Sequence, residues 1–293
     1  FIYVKPGGVV KHPVTQALMA PHPPGGPEIK AEGDMDPRHG LVDWMLKPEN
    51  PFFARTAVNR IWSEFFGRGI VHPVDDFRAS NPPVNEPLLD ALAEDFVRHG
   101  YDLKHLMRRI LTSRAYRTSS LPNEVNITDT THFSRSYRRR LPAEVLLDAV
   151  CDVTEVPETF EGLPPGSRAV QTWNLKMPST FLDTFGRPDS SAECPCDRVE
   201  TPTMTQALHL MNAERVGQKI SSKTGRAHRL AGSEATVEEV AEELYLATFA
   251  RLPTSDELKT VRAYFEQEGR TRVQAVEDVL WALLNSAEFV FNH

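Results

Sequence analysis

The chain has 293 residues, 40% hydrophobic and 25% charged, with 40 acidic against 33 basic side chains and a net charge of -7. That is room for one large domain or two modest ones, with ordinary globular usage rather than the low-hydrophobicity, high-charge profile of disorder. The acidic balance excludes a general attraction for nucleic acid, and no run approaches the ~20 apolar residues of a spanning helix.

Residues 1–35 read as an extended arm, because a stretch such as His22-Pro23-Pro24-Gly25-Gly26-Pro27 cannot sustain a helix or a ladder. Residues 1–4 and Val9-Val10 are expected as short strands, with residues 168–174 as their partner. The chain begins without an initiator Met on an apolar-alternating run and shows no signal peptide, which suggests excision from a longer precursor. Helical punctuation starts at Asp36-Pro37, an N-cap acceptor followed by proline, with Leu41, Trp44 and Met45 at helical spacing. Asn50-Pro51 repeats the device. It opens a helix carrying Phe52, Phe53, Ala57, Ile61, Phe65 and Phe66, predicted to be deeply buried and to stop at a left-handed Gly67. A Pro-rich connector over 73–83 leads to Asn85-Glu86-Pro87 and the run Leu88, Leu89, Leu92, Phe96 and Val97, stopped by Gly100. Asp102 caps the next run, Leu103, Leu106, Met107, Ile110 and Leu111, as an antiparallel neighbour.

Residues 135–140, with Arg138, Arg139 and Arg140, read as a solvated turn whose arginines pair with nearby acids. Leu141-Pro142 opens a further helix through Val145, Leu146, Ala149 and Val150. Residues 154–200 then turn irregular, and so long a connection is the expected working surface. Helices resume at Thr201-Pro202 with Met204, Ala207, Leu208 and Met211. A loop over 221–233 follows, a point where the domain could subdivide. Thr236 and Glu239 form a capping box, Ser255 caps the next helix, and the last runs through Val276, Val279, Leu280, Leu283 and Leu284 to Phe289-Val290-Phe291. The expected fold is mainly α: a multi-helix, bundle-like domain over residues 36–293 behind a Pro/Gly-rich arm, with minor short strands and one long irregular loop.

An ordered series of motifs carries a family resemblance. It runs through Asn50-Pro51-Phe52-Phe53-Ala54-Arg55, Val58-Asn59-Arg60-Ile61-Trp62, Phe66-Gly67-Arg68-Gly69-Ile70-Val71 and Pro73-Val74-Asp75-Asp76-Phe77-Arg78. It continues in Ser80-Asn81-Pro82-Pro83, Asp102-Leu103-Lys104-His105-Leu106, Thr112-Ser113-Arg114-Ala115-Tyr116 and Phe185-Gly186-Arg187-Pro188. Cys194-Pro195-Cys196-Asp197-Arg198, Gln206-Ala207-Leu208-His209-Leu210 and Trp281-Ala282-Leu283-Leu284-Asn285-Ser286 complete it. Over nearly its whole length the chain resembles the planctomycete domain of unknown function of the DUF 1553 group. The resemblance implies context more than chemistry: such domains end large exported proteins, at the periplasm or cell surface, after a second domain of unknown function and often a cytochrome-c-like domain. The implied partners are those upstream domains. The family supplies no catalytic residues, and no Cys-x-x-Cys-His occurs here, so this chain carries no covalent haem.

The cysteines are Cys151, Cys194 and Cys196. The Cys-x-Cys pair has three readings: a tight disulfide, two thiolates of a zinc site with Cys151 and His209 as further candidate ligands, or two structural thiols. Two ligands are half a zinc site, and export favours the disulfide. Arg60, Asp75, Asp76 and Arg78 are charged yet embedded in apolar sequence, which points to a buried polar network. Adjacent carboxylates also suit calcium or acid-base chemistry, but side chains at i and i+1 usually point apart. There is no Gly-x-Ser-x-Gly elbow, phosphate loop or dinucleotide fingerprint. Trp173 is a candidate sugar-stacking platform.

The expectation is therefore a non-catalytic structural or interaction module of a larger exported protein, without a cofactor unless the Cys-x-Cys loop holds zinc. Two alternatives remain open. One is part of an extracellular enzyme acting on polysaccharide, with Asp75, Asp76, His105 and the 154–200 loop around a cleft; the other is an electron-transfer partner of an attached cytochrome-c-like domain.

Overall fold

The structure is a computed structural model, and it describes residues 9–29, 36, 38–172, 177–188 and 202–292. Among the described residues the fold is mainly α, with thirteen α-helices and four strands of two residues each. Chain contacts divide it into an N-terminal unit, residues 1–137, and a C-terminal unit, residues 138–293. No helix among the described residues is long and apolar enough to cross a membrane.

In the N-terminal unit β1 (Val10–Lys11) pairs antiparallel with β2 (Leu18–Met19), Val10 opposite Met19 and Lys11 opposite Leu18. The arm thus closes a hairpin on itself. The expected partner, residues 168–174, instead includes a 3-10 turn at Ala169–Gln171, and residues 1–4 lie outside the described residues. A short hairpin loop costs far less closure entropy than a pairing across more than a hundred residues.

Helix α1 (Arg38–Met45) follows Asp36, whose carboxylate accepts from the Arg38 N–H at 2.9 Å. Before α2 (Phe53–Phe66), the Asn50 side chain accepts from the Phe52 and Phe53 N–H groups at 2.9 and 3.0 Å. The helix ends at Gly67, which adopts the left-handed conformation with φ of 71°. Ala54, Val58, Asn59, Trp62 and Phe66 are buried. Phe52, expected inside, precedes the helix and is half exposed. Asn85 and Asp102 cap α3 (Glu86–Arg98) and α4 (Leu103–Leu111) through their side chains. Helices α2, α3 and α4 share one core around Val58, Trp62, Leu89, Phe96, Leu106 and Ile110, where each fully buried aliphatic side chain contributes ~2 kcal/mol.

Asn59 holds the following turn to α2. Its Oδ1 accepts from the Val71 N–H at 2.9 Å, and its Nδ2 donates to the carbonyls of Val71 and Val74 at 2.9 and 2.7 Å. Gly69 lets that turn come close, since a Cβ there would stand 2.3 Å from the Val71 carbonyl oxygen.

The C-terminal unit is closed at its two ends by an antiparallel pair, β3 (Arg139–Arg140) with β4 (Phe291–Asn292). Between them lie α5 (Ala143–Thr154), α6 (Thr180–Thr184), α7 (Met204–Asn212), α8 (Glu214–Ile220) and α9 (Arg226–Ala231). Helices α10 (Val237–Phe249), α11 (Ser255–Phe265), α12 (Arg272–Leu284) and α13 (Ala287–Val290) complete the unit. Leu146, Leu182, Phe185, Leu244, Leu280 and Leu284 are among its fully buried side chains. Among the described residues capping boxes head four of these α-helices: Thr236 with Glu239, Thr254 with Glu257, Thr271 with Gln274, and Thr203 with Gln206. The second cap falls one residue before the expected Ser255. Segment 221–233, read from sequence as a loop, contains α9, which packs on α12.

The basic run is the larger departure from expectation. Arg140 is buried, with Nη2 donating to the Phe185 carbonyl at 2.8 Å and Nη1 to the Leu141 carbonyl at 2.9 Å. It fastens the β3 end to the turn after α6, a long-range role that a local charge pattern cannot announce.

Candidate functional site

The four charged residues of the 60–78 motif form two ion pairs at the surface. Arg60 grips Asp75 with two bonds, Nε to Oδ1 at 2.8 Å and Nη2 to Oδ2 at 2.7 Å, and Arg78 meets Asp76 at 3.0 Å. The side chains of Arg60 and Asp75 are 60% and 49% exposed, so this is not the buried network the apolar context suggested. The side chain that context buries is the neutral Asn59, which needs no counter-charge.

In the C-terminal unit His209, on α7, meets the edges of the Phe181 and Phe185 rings at 5.7 and 6.0 Å, and burial lowers its pKa. It lines a cavity of about 470 Å³ together with Glu158, Phe160, Phe181, Arg215 and Lys219. The cations of this cavity are engaged. Lys219 Nζ donates to the carbonyls of Val156 and Pro157 at 3.0 Å each, and Arg215 pairs with Glu158 at 2.6 Å. Cys151, on α5, is partly buried, and desolvation pushes its thiol pKa up, away from the reactive thiolate. Cys194, Cys196 and Trp173 lie outside the described residues.

One cluster has the composition of a metal centre. Asp95 and His99 stand one helical turn apart at the end of α3, where side chains at i and i+4 share a face. Gly100 and Tyr101 both take positive φ, 64° and 63°, and turn the chain back. Asp102 then caps α4 by accepting from the Lys104 and His105 N–H groups, which sets His105 in the first turn of that helix. The Asp95 carboxylate lies 2.8 Å from His105 Nε2 and 3.4 Å from His99 Nδ1, while the same His99 nitrogen lies 2.8 Å from the Asp95 carbonyl. The two imidazoles stack with centroids 3.8 Å apart and planes 16° from parallel.

Ligating atoms from Asp95, His99 and His105 all lie within 4.8 Å of one another, the one such group of three among the described residues. Their side chains are 17%, 43% and 25% exposed, so the cluster is sheltered yet open to solvent. The His105 hydrogen bond is the largest of the effects that hold the Asp95 carboxyl below the usual carboxylate range; His99 and Arg109 add to it. Of these residues the sequence reading named only His105, as part of a cleft with Asp75 and Asp76. The available signal was the spacing of Asp95 and His99 on one helical face, with a third ligand just beyond a glycine turn.

No curated protein and no solved structure matches the chain. Residues 37–265, from the start of α1 to the end of α11, match the family described as a protein of unknown function (DUF1553), and the chain belongs to that family.

Proposed function

We propose that this domain is a non-catalytic structural or interaction module of a larger exported, multidomain protein of the planctomycete type. The observation that carries the reading is the separate commitment of the side chains that a polysaccharide-cleaving site would gather. Asp75 is held by Arg60, Asp76 by Arg78, and His105 by Asp95. Glycoside cleavage needs two carboxyl groups facing one bond, one of them kept protonated by apolar walls or a second carboxylate. Here each carboxylate of the motif faces a guanidinium instead. Export, and upstream domains of the same precursor as partners, follow from the family resemblance.

The test is turnover. The domain and its Asp75→Asn and Asp76→Asn variants are assayed against chromogenic glycosides and esters while their melting temperatures are followed. The expected result is no turnover by any of them. A hydrolysis that Asp75→Asn abolishes without lowering the melting temperature overturns the proposal.

A further inference from the structure

We infer that Asp95, His99 and His105 bind one divalent transition-metal ion of the zinc class, which clasps the end of α3 to the start of α4 and keeps an open coordination position toward solvent. The donor set fits that chemistry: two imidazole nitrogens and one carboxylate suit zinc and its neighbours, whereas calcium and magnesium prefer all-oxygen shells.

The distances fit as well. Bonds of about 2.0 to 2.1 Å in a tetrahedral arrangement place ligand atoms roughly 3.3 Å apart. The gap from the Asp95 carboxylate to His99 Nδ1 is already 3.4 Å, and the gap to His105 Nε2 opens from 2.8 Å once an ion replaces the shared proton. An ion lies near the plane of each imidazole it binds, so the stacked rings must splay on loading. His99, at the end of α3 and 43% exposed, is the ring with room to turn, and its Nδ1 must give up its proton and the 2.8 Å bond to the Asp95 carbonyl as it does so. Three protein ligands leave a fourth position for water or an incoming donor, as in sites that engage an exogenous ligand.

Two cations oppose loading. Arg109 Nε is 3.8 Å and Arg98 Nη1 3.9 Å from the Asp95 carboxylate, but their side chains are 64% and 68% exposed and solvent weakens their effect. Their presence gives the proposal a sign that a purely structural cluster lacks: removing Arg109 should tighten metal binding.

The experiment titrates the 293-residue chain carrying Cys194→Ser and Cys196→Ser with Zn²⁺ by calorimetry, and with Co²⁺ by visible absorption, at neutral pH. The cysteine background silences the other candidate zinc site. Expected are one ion per chain, a Co²⁺ spectrum of a low-coordinate nitrogen and oxygen site, weakening by more than about tenfold in His99→Gln and His105→Gln, and severalfold tightening in Arg109→Gln. Circular dichroism of each variant without metal checks that the fold is kept, and His99→Gln, on the most exposed of the three ligands, is the variant least able to disturb it. The inference is overturned by the absence of saturable one-to-one binding, or by binding that His99→Gln leaves unchanged.

Discussion

In the N-terminal unit the buried polar key is a neutral amide: Asn59 satisfies three backbone groups of the 69–74 turn and carries no charge into the core. In the C-terminal unit partly exposed guanidinium groups join the helices through shared carboxylates instead. Arg251 bridges Glu257 and Glu288 beneath the rings of Tyr245 and Phe249, and Arg226 and Arg229 share Glu155 and Glu243. The two solutions differ in what they leave available. A guanidinium never gives up its proton, so a carboxylate it holds is spent on structure. An imidazole can exchange its proton for a metal ion, so Asp95 between two histidines keeps a chemistry that Glu257 between Arg251 and Thr254 does not.

The largest effect that would break this comparison is at Asn59. Asn59→Ala strands the Val71 N–H and two carbonyls in a buried turn and leaves a small cavity, a loss of ~3 kcal/mol. Urea denaturation measures it. A loss under about 1 kcal/mol would mean that water can serve the turn as well as the amide does.

Next comes the C-terminal counterpart. Arg251→Met keeps the aliphatic stem against Tyr245 and Phe249 but leaves Glu257 and Glu288 without the cation they had shared, so a loss of ~2 kcal/mol is expected by the same measurement. If Arg251→Met were neutral, the guanidinium hub would count as surface decoration and the contrast with Asn59 would be one of burial alone.

Helix starts were the legible part of the fold because their signals are local: Asn85, Asp102 and Thr236 cap through their own side chains within three residues, and Gly67 ends α2 in the conformation glycine favours. Arg140 was misread because its burial depends on β3 meeting β4 about 150 residues on, which no local pattern encodes. The Arg60 and Asp75 motif drew attention through its charge, while the buried member was the uncharged Asn59 beside it. The Asp95 cluster was half legible: His105 stood out as a titratable group, but the turn at Gly100 and Tyr101 that brings it back to Asp95 and His99 rests on a positive φ at a tyrosine, which sequence does not announce.

The third expectation concerns pH. Hydrogen bonds from Arg251 hold the Glu257 carboxyl at about 2, below its ordinary 4.5. A depressed folded pKa gives stability that is fully present above 4.5 and is lost as pH falls toward 2. The melting temperature of the wild type should therefore exceed that of Glu257→Gln at neutral pH, by an amount equivalent to ~1 kcal/mol after screening of a side chain that is 31% exposed. The two curves should converge as pH falls through that window. A gap that stays constant down to the lower limit would show that the effect of Glu257 does not rest on its charge.

The smallest expected effect tests the contrast where it is most easily overstated. Arg60 and Asp75 make a two-bond pair with good distances, the geometry most often credited with stability, yet both side chains are about half exposed. Water already solvates each ion, so Asp75→Asn should change the urea midpoint by the equivalent of no more than ~0.5 kcal/mol, and the double variant with Arg60→Gln should be additive to within the same margin. A coupling above ~2 kcal/mol would place this pair with Arg251 among the structural hubs. The division between amide-keyed and guanidinium-keyed units would then give way to one in which both rely on paired charge, and Asp95 would stand out only by its choice of imidazole partners.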